Sequence, residues 1–252
     1  MSSILDLANA AMSLQDDYRM WLEQYWNESY GPVSWKLQEF TRFVPRQALA
    51  RFLVRDRLFQ MVLDVQGSVL ECGVFGGWGL MAWAQLSAIY EPLNHQRHII
   101  GFDTFDGFAG LSGEDACVGN LLAVRGGLAI DSYEDILRCI KLYNMNRFLQ
   151  GLPKVELVRG DICITAEEYL RNNPSLVVSL MYLDMDVYEP TLAALKAFLP
   201  RMPKGAVLAF DQLNCAAWPG ETTAVLRAIG IDTLALRRFN FDTKICYAVL
   251  EG

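Results

Sequence analysis

The feature that most limits what this chain can fold into is a change of texture at Ser68. From there on, short apolar runs alternate with stretches of helical pattern. The runs cover residues 68–72, 98–102, 155–159, 176–183, 206–210, 234–238 and 245–250. They are apolar on successive residues, as expected for strands covered on both faces. Helical segments separate the first five, which predicts right-handed βαβ units and a parallel sheet. The last two are joined by the link 239–244, too short for a helix, and are expected to form a terminal antiparallel hairpin. The fold class is therefore α/β and Rossmann-like: seven strands, mostly parallel, with helices on both faces.

Before Ser68 the pattern is helical. Leu49, Phe52, Leu53, Phe59, Val62 and Leu63 recur at helical spacing, with Pro45 as a first-turn residue. Residues 4–26 read as one or two further helices. The expected division is a helical extension over 1–66 and a ligand-binding domain over 67–252, the extension serving as a cap or as a contact in a homo-oligomer. Arg42, Arg46, Arg51, Arg55 and Arg57 are expected on the solvated side of a helix. Thr165 and Glu168 match a capping box and predict a helix start there. The stretch 109–130 holds several glycines without a period and predicts a mobile, lid-like loop, with a helix over 131–143 after it.

Composition removes several function classes. The net charge of −7 argues against a nucleic-acid substrate, because phosphate backbones repel an acidic protein. The longest apolar run, 176–183, is too short to cross a bilayer, and the N-terminal residues lack the basic start of a secretory signal. Cys72, Cys117, Cys139, Cys163, Cys215 and Cys246 form no CxxC pair, which predicts reduced, buried thiols and a cytoplasmic protein. Only His95 and His98 are present, neither placed for a histidine-based triad.

Acidic residues and glycines at the ends of the predicted strands carry the chemistry. Glu71-Cys72-Gly73-Val74-Phe75-Gly76-Gly77-Trp78-Gly79 joins a strand to an apolar helix. Glycines let the backbone approach a ligand, and the helix start offers free N–H groups. Such a turn holds a pyrophosphate in dinucleotide enzymes and the amino-acid end of S-adenosylmethionine in methyltransferases; a purely structural turn is the plain alternative. Asp103, closing the second strand, is placed to accept both ribose hydroxyls of an adenosine. Asp161 and Ile162 follow the third strand, where an acid can face an adenine amino group; a plain turn fits equally well. Asp184 and Asp186 follow the fourth strand and Asp211 the fifth. Asp184 and Asp211 are expected to share a hard cation, with Asp186 as general base on a substrate hydroxyl. Helix capping is the alternative for all of them.

In combination these motifs resemble the macrocin O-methyltransferase family of class I S-adenosylmethionine (SAM) methyltransferases: a GGxG turn, Asp-Thr-Phe-Asp-Gly-Phe from Asp103, Leu-Asp-Met-Asp-Val-Tyr-Glu-Pro-Thr from Leu183, and Phe-Asp-Gln from Phe210. The resemblance runs from Arg42 to the C-terminus. It implies a SAM-dependent, usually Mg2+-dependent, oligomeric enzyme that methylates a hydroxyl of a sugar or glycosylated small molecule. Carried over, Glu71, Gly73 and Gly76 would contact the methionine part of SAM, Asp103 the ribose, and Thr104 and Phe105 the adenosine. Asp161 and Ile162 would face the adenine. Asp184 would border the cofactor and, with Asp211 and Gln212, ligate the metal, and Asp186 would be the base. Gln212 departs from the family, whose antibiotic-sugar enzymes have a second acid there; it brings no charge and leaves Mg2+ open. Tyr188, Trp218 and Glu221 are the expected substrate residues. A SAM-fold binding protein without transferase activity and a nicotinamide-dependent oxidoreductase are the other readings.

Overall fold

A computed structural model describes residues 4–251 except residue 118, with side chains from residue 16 onward. The chain divides into two compact units, up to Leu49 and from Ala50 on. The boundary expected at residue 66 thus falls inside the second unit.

In the first unit, α1 (Ile4–Glu28) is one unbroken helix, followed by α2 (Val33–Gln38) and a 3-10 turn at Phe40–Arg42. Aromatic packing ties them together. Phe43 meets Trp26 edge-on at 4.9 Å and stacks on Tyr25 at 5.5 Å. The Lys36 ammonium donates to the Trp26 carbonyl, and Arg42 donates to the Tyr25 hydroxyl.

α3 (Arg46–Gln60) runs into the second unit. There follow β1 (Ser68–Cys72), α4 (Trp78–Tyr90), β2 (Ile99–Asp103), α5 (Tyr133–Met145), β3 (Val155–Arg159) and α6 (Ile162–Asn172). Then come β4 (Val178–Leu183), α7 (Tyr188–Phe198), β5 (Val207–Phe210), α8 (Pro219–Ala228), β6 (Arg237–Phe239) and β7 (Asp242–Val249). They form one seven-stranded sheet in the order β3-β2-β1-β4-β5-β7-β6. β1 through β5 are parallel; β7 pairs antiparallel with β5 and with β6. Every predicted strand is present. The hairpin is tighter than expected: β7 begins at Asp242, so Lys244 lies in the strand rather than in the link.

Strand alternation sends neighbouring residues to opposite faces and builds two apolar layers. Val69, Tyr182 and Val207 pack with Val54, Leu58 and Phe59 of α3 and with Leu80 and Trp83 of α4. On the other face, Leu70, Ile100, Met181 and Leu208 pack with Tyr169, Phe198 and Val225 of α6, α7 and α8. Each such side chain, taken fully out of water, contributes about 1.5–3 kcal/mol. α3 lies early in the chain but its apolar face covers the sheet.

Some local expectations are corrected. α6 starts at Ile162, and Asp161 rather than Thr165 caps it: Asp161 Oδ1 accepts the Cys163 N–H at 2.9 Å. Asp161 comes directly after the left-handed Gly160, where the chain turns out of β3, so the earlier cap takes the free N–H and Thr165 falls within the helix. The 109–130 connection carries hydrogen-bonded anchors of its own. Phe108 and Gly127 close its base, with N–H to carbonyl at 3.2 Å. Ser112 and Asp115 form a capping box on a 3-10 turn at Gly113–Asp115. The helix after it, α5, starts at Tyr133, two residues later than expected. Among the described residues there is no disulfide; Cys72 is buried, whereas Cys139 and Cys163 are exposed, contrary to the expectation of buried thiols. No helix among them is long and apolar enough to cross a membrane.

Candidate functional site

The strand order reverses between β1 and β4, and in sheets of this type the crevice beyond the carboxyl ends at that point receives ligands. The ladder continues one residue past each strand. Gly73 N–H reaches the Phe102 carbonyl at 2.9 Å, Asp184 N–H reaches Cys72 at 2.8 Å, and Asp211 N–H reaches Leu183 at 3.0 Å. Gly160 N–H does the same to Asp103 at 2.9 Å. Gly73, Asp103, Asp161, Asp184 and Asp211 therefore stand along one rim, as the sequence predicted. Just past β1, β2, β4 and β5 sit Phe75, Phe105, Asp186 and Asn214, all non-glycine residues with positive φ. Each costs about 1–3 kcal/mol, and such strain collects at functional sites.

At the glycine turn, α4 begins without a side-chain cap, leaving its first N–H groups open to a ligand. Gly73, at φ 95°, is demanded by close approach: a Cβ would strike the Asp184 carbonyl. Gly76 has only the Trp78 ring near its Cβ position. Glu71 is buried beneath the turn, 3.6 Å from Arg55 Nη2, and Gly79 has no Cβ because both side chains occupy that space. Glu71 Oε2 and the Arg55 Nε, Nη1 and Nη2 have no hydrogen-bond partner among the described residues. Arg55 also lies over the Trp78 and Tyr182 rings, at 4.8 and 4.7 Å. Burial pushes the Glu71 carboxyl up to about 7, against the opposing pull of Arg55. The basic cluster of the sequence is thus split, because the α3 face carrying residues 51, 55 and 58 points inward: Arg55 is 1 % exposed and Arg51 reaches the rim, so neither is on a solvated face.

Asp103 holds the turn shut. Its Oδ2 accepts Val74 N–H at 2.7 Å and Phe75 N–H at 2.8 Å, and its Oδ1 accepts Phe105 N–H at 2.7 Å. A carboxylate has about four acceptor sites. Roughly one remains, so in this conformation Asp103 can take one ribose hydroxyl, not both. Thr104 is engaged in its own turn, donating to the Gly107 carbonyl at 2.6 Å. The Phe105 ring packs in the core on Tyr133 at 5.1 Å, and Ile162 is buried among the residues under α6 and α7. Neither ring nor aliphatic chain lies open at the rim, as an adenosine-facing role had suggested.

Around the end of β4 the acids crowd together. Asp184 and Asp186 both lie past the end of β4 at Leu183, and Asp186 takes a positive φ of 63°. It is 8 % exposed and its Oδ1 has no hydrogen-bond partner among the described residues. Burial and the Asp211 charge push its carboxyl up to about 6, with Lys244 and Gln212 pulling the other way. Burial and the charges of Asp211, Asp186 and Glu71 hold Asp184 well above the usual carboxylate range. Asp211 behaves oppositely. Burial would raise it, but Arg51 at 2.5 Å, Lys244 at 2.5 Å and the Tyr182 hydroxyl at 2.9 Å outweigh burial and lower it.

Asp211 is therefore held by two cations and a hydroxyl, which leaves it roughly one acceptor site. Among the described residues no three acids, histidines or cysteines gather as a metal site. Asp184, Asp211 and Gln212, the expected metal ligands, stand at the rim with two side-chain cations already on Asp211. The substrate expectation changes. Glu221 is fully buried; its Oε1 accepts the Gln212 N–H at 2.8 Å, and burial holds its carboxyl well above the usual range. Tyr188 packs with Leu192 and Ala224. Trp218 stays half-buried, against the Phe108 ring at 5.5 Å. Sequence reasoning missed Arg51, Arg55 and Lys244 as site residues; the only available signal was helical spacing between the two arginines.

Residues 70–213 match a family model described as a methyltransferase domain. The calicheamicin methyltransferase CalS11 is 31 % identical, with 99 % of this chain and 94 % of that one covered and a TM-score of 0.85. The chain belongs to the SAM-dependent methyltransferases of the macrocin O-methyltransferase-like family. A ligand-free structure of CalS11, described as a TDP-rhamnose 3′-O-methyltransferase, aligns at 30 % identity over 99 % of this chain and 96 % of that one, TM-score 0.77. The O-methyltransferase NovP shares the fold at 19 % identity, 81 % and 80 % coverage and TM-score 0.61. No curated protein sequence matches the chain.

Proposed function

We propose that the enzyme methylates a hydroxyl of a small sugar, carried as a sugar nucleotide, with Asp186 as general base. The observation that carries this reading is the Asp186 carboxyl itself: it follows β4 at its carboxyl end, is buried at a positive φ of 63°, and its Oδ1 has no hydrogen-bond partner among the described residues. The family and the likeness to CalS11 support a sugar acceptor.

SAM fits the residues present. Its methionine end carries one ammonium and one carboxylate, and the buried Glu71 Oε2 and Arg55 N–H groups lack partners of just those kinds. Glu71 and Arg55 pair with each other at 3.6 Å, and hydrogen bonds to such a ligand would satisfy the atoms this pair leaves unbonded. The α4 start and Gly76 leave backbone N–H groups available beside it, and Asp103 retains about one acceptor site for a ribose hydroxyl. When bound, SAM supplies a sulfonium-activated methyl group: the new O–C bond forms as the S–C bond breaks, its electron pair leaving on sulfur. Asp186 Oδ1 takes the hydroxyl proton. Trp218 and Phe108 offer an aromatic edge against which a sugar ring can pack.

Radiolabelled SAM and a panel of TDP-deoxysugars test this directly. Methyl transfer to at least one sugar is expected, and Asp186→Asn should lower turnover by about 100-fold or more while SAM affinity, read by calorimetry, stays the same. Asparagine tolerates positive φ, so the fold should persist. Full turnover by the Asn variant would place the base elsewhere. Tight SAM binding without transfer to any acceptor would make the chain a binding protein.

A further inference from the structure

We propose that the Lys244 ammonium, anchored on Asp211, stabilises the negative charge that develops on the acceptor oxygen, so that the enzyme transfers methyl groups without a divalent metal. This rests on the methyltransferase reading above and extends it to a residue of β7.

The position beside Asp211 is already cationic. Arg51 Nη1 and Lys244 Nζ each lie 2.5 Å from its carboxylate, one on each oxygen, and the Tyr182 hydroxyl shares Oδ1. The next residue is Gln212, uncharged, and its backbone N–H is bound by Glu221. A divalent ion placed here would have to displace both side-chain cations from Asp211 or sit against them. Like charges in contact at a partly buried site repel, the more so when the incoming ion is doubly charged. Among the described residues, Asp184 and Asp186 do not gather with Asp211 as a three-ligand group.

The two cations are not equivalent. Arg51 is the more buried and is also held by Asp242 at 3.8 Å, so it neutralises Asp211 from within. Lys244 keeps 44 % of its side chain exposed at the rim. Its ammonium has three N–H donors; Asp211 takes one, and the others are available to an incoming oxygen. Its charge is also felt at Asp186, the proposed base. A lone pair on the acceptor oxygen attacks the methyl carbon, the hydroxyl proton passes to Asp186, and Lys244 keeps its own proton throughout. Preorganised donors at such a position are worth about 100-fold to 1,000-fold in rate.

The test uses the full chain loaded with SAM. Manganese EPR should show only free ion with the wild-type protein, and a bound ion in a Lys244→Ala/Gln212→Asp variant, which frees Asp211 Oδ2 and adds an acid. Turnover of the wild type should be the same with EDTA or with Mg2+. Lys244→Met should lower turnover about 100-fold at unchanged SAM affinity, with Lys244→Arg restoring part of it. Stoichiometric manganese on the wild type, loss of turnover in EDTA, or full turnover by Lys244→Met would each overturn the proposal. Failure of SAM to bind at all would instead defeat the methyltransferase reading, and the two are told apart by calorimetry.

Discussion

Asp115 Oδ1 accepts the backbone N–H of Tyr188 at 2.7 Å, across 73 residues of chain. Tyr188 opens α7, whose own N-cap, Val187, has no side chain able to accept. A carboxylate from the long β2–α5 connection thus supplies the cap that the local sequence lacks, and it meets the positive end of the helix. Its other oxygen accepts the Ser112 N–H at 2.8 Å, closing the capping box of its own turn. One residue fastens the connection to the helix that follows Asp184 and Asp186. Anchoring continues nearby, with Asn120 donating to the Ala217 carbonyl at 2.7 Å.

Asp115→Ala should therefore loosen the connection and fray the start of α7. The expected cost is about 1–2 kcal/mol, read as a lower urea midpoint. Limited proteolysis should move to the 109–130 stretch. An unchanged cleavage pattern would mean that the other contacts hold the segment without Asp115.

Glu71 makes a pH prediction. Its carboxyl sits at about 7 in the folded protein because burial outweighs the Arg55 charge, against an ordinary value of 4.5. The folded state therefore holds this proton more tightly than the unfolded chain does. Its contribution is full below pH 4.5 and is lost as pH rises to about 7. The loss is on the order of 3 kcal/mol. Glu71→Gln should flatten stability against pH in that window, measured by urea unfolding in the absence of SAM. A slope equal to that of the wild type would show that another group titrates there.

Glu221 separates charge from shape. It is fully buried, and its carboxyl is held well above its usual range by burial, with Asp184, Asp211 and Asp186 adding to the shift. Glu221→Gln keeps an acceptor for the Gln212 N–H and should melt close to the wild type. Glu221→Ala leaves that buried N–H without its partner and opens a cavity, and should cost about 2–3 kcal/mol. Equal melting temperatures for the two variants would mean that the Glu221–Gln212 bond contributes little.

The rim acids were legible because they obey a local rule. Glu71, Asp103, Asp161, Asp184 and Asp211 each stand in or just after an apolar run, and a parallel sheet puts all its strand ends on one edge. The wrong expectations share a different character. Arg51 and Arg55 look like surface charge until the inner face of α3 is known. Glu221 looks exposed in a polar segment, yet α8 turns it inward beneath Gln212.

The alternation of apolar runs and helical segments, with the glycine turn and the acids after the strands, was enough by itself to determine the sheet, its parallel order and the family. Periodicity and turn chemistry are properties of neighbours in the chain. The tertiary structure alone decided what each acid is used for. Asp103 is largely taken up by the N–H groups of its own and the glycine turn, Asp211 by Arg51 and Lys244, and Asp186 keeps an oxygen unbonded. Those pairings join residues up to 160 positions apart. The charge state and reach of a carboxylate depend on what surrounds it in space, and no spacing along the chain encodes that.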